Sequence, residues 1–409
     1  MSVRSEEQTA VRSKYFILLL LGLVFSIGIA VTLNRIPFIR LKSDLYQRWY
    51  ATTKLFAENR NIYDARNGAE VLQEVYGDDL IFETTNFYYP AHLLFFTVPL
   101  TLVSYPTAHL LWTTAVQLFY LTAIALMIWA VGWPDSTNRV TLFLLACVLF
   151  VPSLQHTIWG QFNTIGILSL GLCYLVLQKN RYGLAGILAS GLTFKPQTTA
   201  LTLAFIFIWV LFARTRWRFY LGFMGAMFGW WLFAELLQPD WVLAFTGSLG
   251  SYIPVQSIVD MVWNPYQIVS GILIVISLAL FFINRHMSVQ SAAFAGCLSL
   301  SIGIWALVMP VVGMMHTVMM PLAVVLLMAA LQQTHPQLAK ITLICLAIVY
   351  MAGWFVFVWG LSDPSLYGQH ILGAEMIYKG ALPGLISLFS LPLCWPRQEE
   401  TMIKAVKSS

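Results

Sequence analysis

Charge is what this sequence has least of. Lys, Arg, Asp and Glu together make up 10% of its 409 residues, where a soluble domain carries about a quarter. Hydrophobic residues make up 59%, and mean hydropathy is +0.74. An ordinary soluble domain is excluded. Cysteine is also scarce. Cys147, Cys173, Cys297, Cys345 and Cys394 lie far apart, inside or at the end of apolar segments, with no CxxC pair. They read as small apolar packing residues. No metal-ligand set is visible. The chain lacks the polar–apolar alternation over about ten residues that a membrane barrel requires. It has no fixed-period repeat and no low-complexity linker. The net charge of +5 is modest and fits cytoplasmic loops rather than a nucleic-acid partner.

What is present is a series of continuous apolar runs. They fall near 15–33, 90–104, 107–132, 139–157, 161–178, 183–195, 197–213, 219–237, 266–283, 290–312, 317–333, 339–360 and 380–395. Runs of this length predict an all-α polytopic membrane protein of a single domain. Turn chemistry marks the breaks: Tyr105-Pro106, Trp133-Pro134, Lys195-Pro196, Pro239-Asp240, Asn264-Pro265 and His335-Pro336. The first run follows Arg4, Arg12 and Lys14, is too long for a signal peptide, and reads as a signal anchor.

Lys and Arg beside the spans set the orientation. With residues 1–14 cytoplasmic, Lys179, Arg181, Arg214, Arg216, Arg218, Arg285, Lys340 and the tail at 396–409 all fall inside if one run is not a full span. The short run 90–104 is that candidate, as a half-membrane piece or the bent start of the next helix. The expectation is about twelve spans (roughly 11–13). The long loop 34–89 then lies outside, with further outer loops at 238–265 and 361–379.

The long loop holds Arg35, Arg40, Lys42 and Arg48 close to the membrane on the outer side, against the charge rule. Its eight acidic residues balance them. Residues 43–58 read as an interfacial helix with Tyr46, Trp49, Tyr50 and Phe56 at headgroup level. The same topology puts five polar breaks on the outer face: Asp44, Asn86–Pro90, Trp159–Asn163, Phe194–Gln197 and Met315-His316. Ionisable residues at membrane depth are functional candidates. Asp44 is the candidate catalytic carboxylate, and the bland alternative is a Ser43-Asp44 helix cap. Lys195 sits at a proline-broken helix, where a lysine suits a phosphate; the alternative is a lysine snorkelling to water. His316 is a candidate donor to a phosphate or sugar oxygen, or else a hydrogen-bonded interhelical histidine. Gln161 and Asn163 are candidate ligands, or a polar cap pair with helix packing. His92, His109, His156 and Glu235 read as structural or interfacial.

These residues resemble a known pattern. Asp44 with Tyr50-Ala51 and Asn61–Asp64, Tyr89-Pro90 with Pro99-Leu100, Gly160–Asn163, Gly186 with Lys195–Gln197, and His316 with Pro321 stand in order over roughly 15–335. In this order the chain resembles the bacterial polyprenyl-phosphate-mannose-dependent mannosyltransferases of glycosyltransferase family 87, within the GT-C superfold. It departs from that family at Asn59–Asn61, at Ala91, and at Val311–Met315 before His316. Those departures leave the fold implied and the sugar and acceptor unspecified.

The resemblance implies an inverting transferase in the bacterial inner membrane with an extracytoplasmic site. Its partners would be a polyprenyl-phosphate sugar donor, a lipid or glycan acceptor, and membrane lipids. Asp44 would be the general base. Lys195, Arg48, His316, Gln161, Asn163 and Tyr50 would bind the donor phosphate and sugar, with no metal and no cofactor. Two other classes compete. A secondary transporter would show related halves and a midplane polar site. An O-antigen-ligase-like or polymerase-like enzyme would carry its largest outer loop late in the chain, whereas here that loop is early.

Overall fold

The computed structural model describes residues 22, 24–77, 87–134, 136–252, 265–309, 314–362, 373, 374 and 376–395. The expectations for 1–14, for Asn86 and for the tail at 396–409 lie outside the described residues, as does much of the outer loops at 238–265 and 361–379. Every regular element among the described residues is a helix.

The first apolar run contributes α1 (Val24–Asn34). The long loop that follows is itself helical, with α2 (Pro37–Leu41), α3 (Asp44–Glu58) and α4 (Ala65–Tyr76). A 3-10 turn (Ala91–Leu93) leads into α5 (Leu94–Leu100), then α6 (Tyr105–Val131). The turn and α5 cover ten residues, about 15 Å of rise, too short to cross a bilayer. Next come α7 (Thr137–Val148) and α8 (Val151–Ile158), bent by 49° at their junction. The chain continues through α9 (Asn163–Gln178), α10 (Tyr182–Ala189), α11 (Pro196–Leu211), α12 (Arg218–Leu237) and α13 (Trp241–Tyr252). It ends with α14 (Pro265–Ile283), α15 (Ala292–Val308), α16 (Met320–Thr334), α17 (Pro336–Ser362) and α18 (Leu382–Cys394).

Proline explains several helix starts. Pro106, Pro196 and Pro321 stand in the first turns of α6, α11 and α16, where an amide hydrogen has no intrahelical partner to lose. Asp64 caps α4 by accepting from the Arg66 amide at 2.9 Å, and Ser291 caps α15 by accepting from the Phe294 amide at 3.1 Å.

Among the described residues, five helical stretches are long and apolar enough to cross a membrane: Tyr105–Val131, Arg214–Leu237, Met314–Thr334, Pro336–Trp359 and Met376–Cys394. The bent α7–α8 pair makes a sixth when counted as one span. Shorter apolar helices of 10–17 residues accompany them. This is the architecture of a helical membrane protein. The exposed faces agree, since Leu221, Phe228 and Leu236 on α12 and Ile348 and Phe355 on α17 point outward. A patch this apolar needs hydrocarbon around it.

Two cores form. The larger is built where α6 packs on α9, and where α15 packs on α11, α16 and α18. Helices α10 and α12 touch backbone to backbone: a Cβ on Gly186 would stand 2.0 Å from the Phe219 carbonyl oxygen, and one on Gly222 1.9 Å from that of Gly183. Small residues permit this approach, as at other membrane helix interfaces. The smaller core gathers Leu45, Tyr46 and Leu55 of α3 with Phe87, Tyr89, Trp112, Phe162 and Phe194. It joins the early loop to the ends of α6, α9 and α10, and the candidate site sits on it.

Helix α3 is formed as expected but is not simply laid on an interface. Tyr46 lies 4.6 Å from the Tyr105 ring, and the Trp49 indole donates to the Leu100 carbonyl at 3.0 Å. Thr52 donates to Thr97 at 2.9 Å. Two of the four expected headgroup aromatics therefore pack against α5 and α6. Phe56 is the outward one, 54% exposed.

Candidate active site

Asp44 is the first residue of α3. Ser43 precedes it with extended backbone (φ −69°, ψ 145°) and makes no side-chain cap; its hydroxyl lies 2.8 Å from that of Tyr105. The Asp44 amide donates to the Trp159 carbonyl at 2.9 Å, which ties the helix start to the turn between α8 and α9. In the first turn the helix dipole favours a carboxylate.

That turn is shaped by Gly160, at φ 58°, a left-handed conformation that glycine adopts without cost. Trp112 holds the Gly160 carbonyl with its indole nitrogen at 2.9 Å. A Cβ at Gly160 would lie 3.2 Å from the Leu45 Cβ, so the missing side chain also makes room for α3. The turn carries Gln161 to Asp44. Gln161 Nε2 donates to Asp44 Oδ2, and Lys195 Nζ donates to Gln161 Oε1. One carboxamide thus bridges an anion and a cation, its NH2 toward the carboxylate and its oxygen toward the ammonium, as their charges demand.

Lys195 stands between the 3-10 turn Ser190–Phe194 and α11. Pro196 has no amide hydrogen to continue the previous helix. The break is closed by Thr198, whose hydroxyl donates to the Lys195 carbonyl at 2.9 Å. Arg48, one turn along α3, donates to the Asp44 carbonyl at 2.9 Å and lies 3.8 Å from its carboxylate. Lys195 and Arg48 both face the Tyr89 ring, at 5.3 and 4.8 Å from its centroid, a favourable place for cations. Gln161 is 1% exposed, Arg48 5% and Lys195 7%. The Asp44 side chain is 26% exposed, so it is the member of the group that an incoming molecule can reach.

Tyr89 is itself held from below. Tyr63 donates its hydroxyl to the Tyr89 carbonyl at 2.8 Å. The Tyr63 amide donates to Asn61 Oδ1 at 2.8 Å, and the Ile62 amide to Gln238 Oε1 at 3.1 Å. With Asp64 capping α4, the Asn61–Asp64 stretch acts as a scaffold for the tyrosine beneath the two cations.

The remaining predicted residues sit elsewhere. Tyr50 donates to Glu70 Oε2 at 2.7 Å, and Arg60 donates to the same oxygen at 2.8 Å. Those two hydrogen bonds, Arg60 first, hold the Glu70 carboxyl below its usual range, while burial and Glu70 push the Tyr50 hydroxyl up. Asn163 begins α9, is 1% exposed, and its carboxamide has no hydrogen-bond partner. His316 lies in the 3-10 turn Met314–Met319 and lines a pocket with Gln197, Thr198 and Lys379. The structure therefore gathers Asp44, Arg48, Gln161 and Lys195 into one contact group, with Asn163 two positions beyond Gln161. Tyr50 and His316 stand in other groups.

His92 packs edge-on to Phe194 (4.6 Å), His109 to Tyr105 (6.0 Å), and Glu235 accepts from the Asp240 amide at 2.8 Å. Trp112 and Lys379 hold places that the sequence reading did not give them. Trp112 is hidden inside an apolar run, and Lys379 follows a polar loop with no motif around it. Comparison with family models, with curated proteins and with solved structures returns no match.

Proposed function

We propose that this chain is an inverting glycosyltransferase of the outer face of a bacterial cytoplasmic membrane, with a GT-C-type fold of about twelve spans. It moves a sugar, mannose by the resemblance, from polyprenyl phosphate to a lipid or glycan acceptor. Asp44 takes the proton of the acceptor hydroxyl. The hydroxyl oxygen bonds to the anomeric carbon from the face opposite the phosphate. The carbon–oxygen bond to the phosphate breaks, and its electron pair leaves with the phosphate. Arg48 lies beside the Asp44 carboxylate, and Lys195 holds the Gln161 carboxamide that donates to it, so the two cations orient the base. Asn163, Tyr50 and His316 are proposed to contact the donor.

The observation that carries this reading is the Asp44–Gln161–Lys195 chain of hydrogen bonds. It joins three segments far apart in sequence at one partly open carboxylate. Membranes supplied with polyprenyl-phosphate mannose and a panel of lipid and glycan acceptors test it. Wild type transfers mannose, and Asp44→Asn loses at least about 100-fold, the contribution of a general base. Equal transfer by both proteins would remove Asp44 from the chemistry.

A further inference from the structure

The Asp44 group occupies one end of α9. Gln161, which donates to Asp44, stands two positions before that helix. Helix α9 then runs 16 residues to Gln178, about 24 Å at the rise of an α-helix. A separate cleft of 240 Å³ opens at its far end. The last turns of α6, α9 and α16 and the start of α15 enclose it. An engineered apolar cavity of about 150 Å³ takes up a benzene, so this cleft has room for a six-membered ring with its substituents.

The cleft has a floor and a rim. Ala295, Ala329 and Ala330 are buried in its wall. Their side chains end at Cβ, which leaves the space above them open. Gln178 is half-buried, Gln290 and Gln333 are exposed, and each comes from a different segment of the chain. None of the described residues lining the cleft is charged, although Lys179 follows α9 at once. That ammonium is turned to the Trp129 ring, 5.4 Å from its centroid. Ser291 lines the cleft but is committed. Its hydroxyl donates to the Ser288 carbonyl at 2.7 Å and accepts from the Phe294 amide at 3.1 Å. Polar recognition therefore falls to the three carboxamides.

The chemistry of that rim selects a class of ligand. A carboxamide both donates and accepts hydrogen bonds, and so does a hydroxyl. An ion entering the cleft loses water and meets no opposite charge, which disfavours it. A flat base needs an aromatic face to stack on. Tyr174 is the one aromatic residue among the described residues of the lining, and it is buried with its ring tilted against Phe294 at 6.1 Å. An uncharged ring carrying several hydroxyls meets all three conditions. We propose that this cleft binds a neutral hexose unit, as a free sugar or as the headgroup of a neutral glycolipid, at the end of α9 away from Asp44. This binding is independent of the transferase reading.

Saturation-transfer NMR on the full chain in lauryldimethylamine oxide, a detergent without sugar hydroxyls, tests the proposal with methyl glucoside as probe. Methyl glucoside binds wild type, and glucose 6-phosphate and adenine compete at least about tenfold more weakly. Gln178→Leu combined with Gln333→Leu removes two of the three carboxamides and weakens binding about tenfold or more. Ala292→Leu fills the mouth of the cleft and has the same effect without removing a polar group. Asp44→Asn, at the other end of α9, binds methyl glucoside as wild type does. The proposal is overturned if methyl glucoside does not bind, if either cleft variant binds like wild type, or if Asp44→Asn loses the binding, which would put the sugar beside Asp44. Glucose 6-phosphate that competes as well as methyl glucoside overturns the neutral class. If the double glutamine variant does not fold, Ala292→Leu decides. Monoglucosyl diacylglycerol in the same micelles separates the two sources, and either result keeps the site. Displacement of methyl glucoside at about a tenth of its concentration or less assigns a lipid headgroup, and displacement no better than by methyl glucoside itself assigns a free sugar.

Discussion

The carboxamide of Gln161 donates to the carboxylate of Asp44 across 117 positions of sequence. The contact makes the orientation of the proposed base depend on a residue with no charge of its own. Gln161→Leu keeps the volume and removes both hydrogen bonds. It leaves the buried Lys195 ammonium without its carboxamide, and a hydrogen bond to a charged group contributes about 1.5–3 kcal/mol. We expect transfer to fall about 10–100-fold in kcat/KM, with protein still produced. Gln161→Glu separates alignment from bulk. A carboxylate at this position still accepts from Lys195 but has no NH2 to donate to Asp44, so transfer falls as it does in Gln161→Leu. Full activity in both variants would show that the bridge is dispensable.

The helices were largely legible in the sequence, because their cause is local. Lys195-Pro196 and His335-Pro336 break apolar runs, and both prolines open helices, as a residue without an amide hydrogen must. The depth of each helix was less legible. The run at 139–157 is bent at Leu149–Phe150, where α8 opens with Pro152 in its first turn. The candidate site was legible in its residues more than in its contacts. Asp44, Gln161 and Lys195 were named from topology and resemblance, and their joining through one carboxamide depends on the Gly160 turn and the Trp112 indole, which no spacing reveals. Tyr50 shows the opposite case. It lies near Asp44 in sequence, but a side chain on α3 reaches whatever packs on its own face, and for Tyr50 that is Glu70 of α4.

Gly160 is the position where backbone and site meet. An alanine there pays for the left-handed backbone with roughly 1 kcal/mol or more, and its Cβ must push Leu45 back from 3.2 Å. We expect Gly160→Ala to lower stability by about 1–3 kcal/mol and to reduce transfer by displacing Gln161. The buried thiols of Cys147, Cys173 and Cys297 report unfolding in a thermal melt with a thiol-reactive dye. Gly229→Ala is the control, since a Cβ there meets nothing within 4 Å and alanine favours a helix. A Gly160→Ala protein that melts with wild type would show that the turn tolerates a side chain.

The Glu70 cluster predicts a pH effect outside the membrane. Arg60 and Tyr50 hold the folded-state Glu70 carboxyl below its ordinary value, near 4.3 in the unfolded chain. A group with a depressed folded pKa contributes stability that is present above the unfolded value and is lost as pH falls through the folded one. Wild type therefore melts higher than Glu70→Gln at pH 7, and the difference shrinks as pH drops below about 4. The Glu70 side chain is 39% exposed, so screening keeps the effect to a fraction of that of a buried pair, and added salt reduces it further. Because Glu70 anchors Tyr50 on α3, the same titration loosens α4 from the helix that carries Asp44. A melting difference that stayed constant from pH 7 to 3 would show that Glu70 acts through packing rather than through its charge.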